Sequence, residues 1–136
     1  MTETPYQRLG GEPAIRSLVS RFYELMDELP EAYTTRKIHP QDLGPSGEKF
    51  VAFLSGWLGG PQLYMEKYGH PMLRRRHLPY AIGRQEHDEW LMCMRMAMEE
   101  TIADAELRTM LYEAMVPIAA HMMNQGEQAA GCSCNH

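Results

Sequence analysis

An all-α fold is predicted by three features of this sequence. Apolar residues recur at three- and four-residue spacings over four long stretches, the mark of amphipathic helices. No stretch alternates polar and apolar residues for long, so no sheet is expected. Proline or glycine marks the ends of those stretches, as at Gly10-Gly11, Pro30 and Gly59-Gly60-Pro61.

The elements follow in order. Thr4-Pro5 reads as an N-cap with proline at the first helical position, and the short helix it starts stops at Gly10-Gly11. From Pro13, the residues Ile15, Leu18, Val19, Phe22, Tyr23, Leu25, Met26 and Leu29 form one helical face that Pro30 ends. Residues 30–45 read as irregular, with three prolines and the pair His39-Pro40. A helix from about Ser46 carries Phe50, Phe53, Leu54, Trp57 and Leu58 on a wide aromatic face, broken at Gly59-Gly60-Pro61. Residues 61–70 read as a loop. Pro71 opens a short helix through Leu73 to His77, which Pro79 must end. From near Arg84, the residues Trp90, Met94, Ala97, Met98 and Ile102 share a face. Asp104 caps a last helix with Leu107, Leu111, Met115, Ile118, Ala119 and Met122 inward. Pro117 is expected to kink it by removing a backbone donor. The result is four main helices around a long irregular middle. A plain four-helix bundle uses short loops, whereas a large bound cofactor would order such a middle.

Composition narrows the function classes. At 136 residues, 44% of them apolar, the chain suits one domain. Its 18 acidic against 13 basic residues give a net charge of −5, which argues against a nucleic-acid partner. No apolar run approaches the ~18 residues of a membrane span. Met1 to Pro5 lacks the shape of a signal peptide, so a cytoplasmic protein without a membrane partner is expected. Twelve methionines and six histidines are many for this length. Methionine fits irregular apolar surfaces and histidine is the usual metal ligand, so together they raise the question of an apolar cofactor carrying a metal.

Several metal sites are disfavoured by spacing. No histidine follows a glutamate by three residues, as a carboxylate-bridged dimetal bundle requires. Glu86-His87-Asp88-Glu89 has the wrong order for a zinc protease, and no Cys-x-x-Cys occurs. His77 stands apart. It closes a short helix between Arg74-Arg75-Arg76 and Leu78-Pro79-Tyr80. A lone histidine there is ordinarily a cap or a surface residue. The three arginines either pair with the carboxylates of a ligand or form a solvated basic turn.

Gly59-Gly60-Pro61, Tyr64, the run Gly69-His70-Pro71 through His77-Leu78-Pro79-Tyr80, and Trp90 thirteen residues after His77 carry a resemblance. With Phe22-Tyr23 included, the sequence resembles the truncated haemoglobins, group II, over roughly Tyr6 to Asn124. The resemblance implies a two-over-two helical sandwich around one haem b (iron protoporphyrin IX). His77 matches the proximal iron ligand. Tyr23 and Trp90 match distal donors, and His39 matches a distal position that varies between aromatic residues and histidine. Ordinary core packing is the alternative for Tyr23 and Trp90. Ser46 falls where many globins keep a bulky histidine, with Phe50 and Phe53 paving the pocket beyond it. Lys49, Tyr64, Arg76 and His70 match positions that hold the haem propionates. Phe22, Leu54, Leu73, Tyr80, Ile82 and Met94 are expected on the haem wall.

The resemblance implies binding of diatomic gases (O2, NO, CO), with donors that slow their release. Nitric oxide detoxification or peroxide chemistry would need an external reductase. A haem-based redox or gas sensor or scavenger acting through a partner protein is the alternative, and a monomer or homodimer is expected. Residues 1–125 are read as the globin domain and 126–136 as a flexible tail carrying Cys132, Cys134 and His136. That tail, Pro117 and an extended Glu31–Ile38 stretch depart from the family pattern.

Overall fold

The computed structural model describes residues 3–69 and 82–122, and among them every regular element is helical. Helix α1 (Pro5–Leu9) begins at a reciprocal cap: Thr4 Oγ1 accepts from the Gln7 N–H at 3.1 Å, and the Gln7 side chain accepts from the Thr4 N–H at 3.0 Å. Gly10 (φ 118°) and Gly11 (φ 76°) then make the left-handed corner that only glycine enters without strain. Helix α2 (Glu12–Glu28) follows and ends before Pro30, as its apolar periodicity predicts.

The stretch read as irregular contains helix. A 3-10 turn at Pro30–Ala32 leads into α3 (Tyr33–Lys37), whose N-cap residue Ala32 has no side chain able to accept a hydrogen bond. That missing local signal is why the sequence hides it. Helix α4 (Gly44–Trp57) starts two residues ahead of the expected Ser46, where Asp42 Oδ1 accepts from the Gly44 N–H at 2.9 Å.

The segment read as a loop over 61–70 holds α5 (Leu63–Tyr68). It has no side-chain cap, and tertiary contact decides it instead: Tyr64 is buried, edge-on to Phe53 with centroids 6.4 Å apart and 4.8 Å from the ring of Tyr68. Helix α6 (Arg84–Thr101) and helix α7 (Ala105–Met122) complete the described chain. Asp104 Oδ1 accepts from the Leu107 N–H at 3.1 Å, as expected of a cap, and α7 runs past Pro117 to Met122. The helix expected over 71–77 and the Cys132–His136 tail lie outside the described residues.

The four long helices pack as two pairs, α2 with α4 and α6 with α7, joined along α2 and α6. Between them lie Ile15, Leu18, Phe22 and Met26 of α2, Leu54 of α4, Met94, Ala97 and Met98 of α6, and Leu107 of α7, each no more than 1% exposed. Burying a side chain of this size contributes ~1.5–3 kcal/mol. Ion pairs lace the rim, with Arg16 bridging Glu12 and Glu48 across α2 and α4, and Arg21 reaching Glu100 across α2 and α6. No helix among the described residues is long and apolar enough to cross a membrane.

Candidate functional site

Helices α2, α4, α6 and α7 do not close completely on one another. They leave a cavity of about 490 Å³, within the roughly 300–1,000 Å³ of cofactor and small-molecule sites. Register explains which side chains reach it. On α2, Phe22 points into the core while Tyr23, one residue on, turns to the cavity. On α4, Ser46, Lys49, Phe50, Phe53, Leu54 and Trp57 recur at three and four and line one wall. On α6, Glu86, His87 and Trp90 share the facing side, and α3 with its exit adds Thr35, Ile38, His39 and Pro40.

The three distal candidates come together. Tyr23 lies 6.3 Å from Phe50 and 6.0 Å from His39, and Trp90 lies 6.0 Å from Phe50, ring centroid to centroid. The contacts of Tyr23 with Phe50 and His39 are edge-on and that of Trp90 with Phe50 is tilted, and together they fix the ring directions. Phe22 backs the group from the core, 4.9 Å from Tyr23 and 5.1 Å from Trp90.

The polar groups here are arranged as donors. Burial pushes the Tyr23 phenol well above its usual value, so it stays protonated at any physiological pH. An indole N–H donates only. Among the described residues neither Tyr23 nor Trp90 spends its donor on a protein hydrogen bond. His39 differs, since its Nδ1 lies 2.8 Å from the Thr35 carbonyl oxygen.

Of the expected cofactor contacts, Ser46, Lys49, Phe50, Phe53, Leu54, Tyr64 and Ile82 line the cavity. Phe22 and Met94 do not. Both are fully buried in the core behind the wall, because their helical positions face the opposite helix rather than the opening. His70, Leu73, Arg76, His77 and Tyr80 lie outside the described residues.

The structure also adds wall residues beyond those expected, four of them on a helical face whose spacing predicts packing. Met115, Ile118, Ala119 and Met122 of α7 face the cavity, as does His87, whose Nδ1 is 2.8 Å from Asp88 Oδ1. A helical face looks the same in sequence whether it meets another helix or a cavity, so no signal separated these from core. Among the described residues no cluster of three His, Cys, Asp or Glu side chains could hold a bare metal ion. The apolar lining, with the donors of Tyr23 and Trp90 at one place on it, fits a guest with an extensive apolar body such as haem.

Known proteins resemble the chain over most of its length. A family model described as bacterial-like globin matches residues 4–124. The group 2 truncated hemoglobin YjbI of Bacillus subtilis is 42% identical over 123 residues, which is 90% of this chain and 90% of that protein. Among solved structures, the group II 2-on-2 hemoglobin of Agrobacterium tumefaciens superposes with a TM-score of 0.89 at 54% identity, covering 91% of this chain and 96% of that one. A truncated haemoglobin of Bacillus subtilis described as oxygen-avid superposes with a TM-score of 0.81 at 40% identity, covering 90% of this chain and all (100%) of that one. The chain belongs to the bacterial-like globins and, within them, to the group II truncated haemoglobins with their two-over-two fold, a membership that implies haem binding.

Proposed function

We propose that this protein retains dioxygen, and binds nitric oxide and carbon monoxide, at a haem b seated in the cavity. The observation that carries the reading is the convergence of two uncommitted donors, Tyr23 and Trp90, on one apolar chamber. The oxygen-avid relative from Bacillus subtilis supports it.

When bound, haem supplies an iron atom at which diatomic gases coordinate. His77 would hold that iron from the proximal side. Lys49 and Tyr64, with His70 and Arg76, would meet the propionates. Phe50, Phe53, Leu54, Ile82 and the α7 side chains Met115 and Met122 exclude water, which strengthens every polar contact inside. Tyr23 offers its hydroxyl proton and Trp90 its indole N–H to a guest that gathers negative charge. Each such hydrogen bond is worth ~1 kcal/mol, and 1.4 kcal/mol is tenfold in affinity. Two together favour slow release. Ser46 contributes only a small side chain to the chamber wall.

A redox use of the same pocket, nitric oxide detoxification or peroxide reduction, belongs to this reading and would draw electrons from an external reductase. The test is spectroscopic. Purified protein supplied with haem is expected to show a Soret band that shifts on reduction and again on addition of carbon monoxide. His77→Ala should lose the native ferrous spectrum. Absence of a Soret band in the native protein, or an unaltered ferrous spectrum in the variant, contradicts the reading.

A further inference from the structure

Helix α3 is one turn long and lacks its own cap, yet it carries the residue that sets His39. Its missing acceptor comes from another helix. Glu89 of α6 accepts from the Thr35 N–H through Oε1 at 2.8 Å, while its Oε2 accepts from the Thr34 hydroxyl. The Thr35 hydroxyl donates to the Glu86 carbonyl oxygen at 3.0 Å, a second tie to the same turn of α6.

Glu89 is only 8% exposed and Thr35 1%. Among the described residues no basic side chain pairs with this carboxylate. Burial works against its charge, but the donors of Thr34, Thr35 and Gln85 outweigh burial and keep it ionised. A buried charge held by neutral donors alone is an expensive arrangement for mere packing.

The carbonyl of Thr35, in the next peptide unit, faces His39. Its oxygen lies 2.8 Å from His39 Nδ1. A carbonyl can only accept, so Nδ1 carries the proton, and in the neutral ring Nε2 holds a lone pair. His39 lines the same cavity as Tyr23 and Trp90, and Trp90 directly follows Glu89 on α6. One register of α6 therefore sets both a distal donor and, through Thr35, the histidine beside it.

We propose that Glu89 is a positioning residue that, through Thr35, fixes neutral His39 as the Nδ1–H tautomer, so that His39 serves the distal cavity as a hydrogen-bond acceptor and not as a third donor. The distal residues then divide by role. Tyr23 and Trp90 donate, and His39 accepts. This deepens the ligand-binding reading and rests on it for its functional consequence, whereas the tautomer itself does not depend on which ligand binds.

The experiment is nitrogen-15 NMR of the histidine rings in the full-length, haem-loaded, carbon monoxide-bound protein above pH 8. His39 is assigned by comparison with His39→Gln. Native protein is expected to show protonated Nδ1 and unprotonated Nε2 at His39. Glu89→Ala should collapse this to an averaged pair and change the oxygen release rate by threefold or more, while Glu89→Gln, which keeps an acceptor for Thr35, should retain both. Should Glu89→Ala not fold, Thr34→Val releases one carboxylate oxygen and is expected to move the ring shifts the same way by less. An Nε2–H ring in native protein, or ring shifts unmoved in Glu89→Ala and Thr34→Val, overturns the proposal. Failure of the ligand-binding reading would instead appear as an oxygen release rate indifferent to Tyr23 and Trp90, with the His39 tautomer intact.

Discussion

Tyr23 shows how a single position divides core from site. One residue earlier Phe22 is fully buried, and one register step turns Tyr23 to the cavity, where burial holds its phenol above the usual 10.0. A raised pKa in the folded state means that folding favours the neutral phenol. Its contribution to stability is therefore complete below about pH 10 and is lost as pH climbs through the folded value. The melting temperature of the native protein should thus fall more steeply above pH 10 than that of Tyr23→Phe. Parallel curves would show that the phenol does not feel its surroundings. Cys93, which burial and then Glu89 push up to about 11, contributes to both curves and cancels in the comparison. At this scale the sequence told only part. The resemblance picked out Tyr23 and Trp90 as donors and His39 as a distal residue, but nothing local told whether His39 donates or accepts. That distinction depends on Thr35, four residues before His39, and on Glu89, fifty residues after it.

Among the elements, the long helices were legible and the short ones were not. Helices α2, α4, α6 and α7 each present an apolar face over several turns, and α1 announces itself through Thr4-Pro5. Helices α3 and α5 have five and six residues, too few for a period to show, and neither has a side chain capping it locally. Both are held by distant partners, α3 by Glu89 and α5 by Tyr64 against Phe53. Glu89→Ala should cost about 1–3 kcal/mol of stability, because the Thr35 N–H is left buried and unpaired; an unchanged denaturation midpoint would show that α3 needs no cap. The Gly59-Gly60 break has a cause beyond ending α4. A Cβ at Gly60 would come within 2.3 Å of the Tyr6 ring, and the Tyr6 N–H donates to the Leu58 carbonyl at 2.9 Å, so α1 docks across the turn. Gly60→Ala should cost about 1–3 kcal/mol by overpacking. A denaturation midpoint equal to that of the native chain would mean that α1 yields without loss.

For the whole molecule, the feature that matters is a core that stops short of closing. The apolar residues that fill the space between the helices, Ile15 to Leu107, were largely predictable from spacing. The cavity was not, because Met115, Ile118 and Met122 read in sequence as packing residues. Its walls are largely apolar along α4 and α7, which suits an apolar guest. A cofactor that binds only the folded chain stabilises it by mass action, ~2.7 kcal/mol at a hundredfold excess over Kd. Haem-loaded protein is therefore expected to melt well above the haem-free chain, with a concentration-dependent midpoint. Coincident melting curves would place the cofactor outside the core.

The central claim is that Tyr23 and Trp90 hold the bound gas, and oxygen release measures it most directly. In stopped-flow displacement of dioxygen by carbon monoxide, the Tyr23→Phe, Trp90→Phe double variant should release oxygen at least tenfold faster than the native protein, with its carbon monoxide-bound spectrum intact. A release rate equal to that of the native protein would contradict the account.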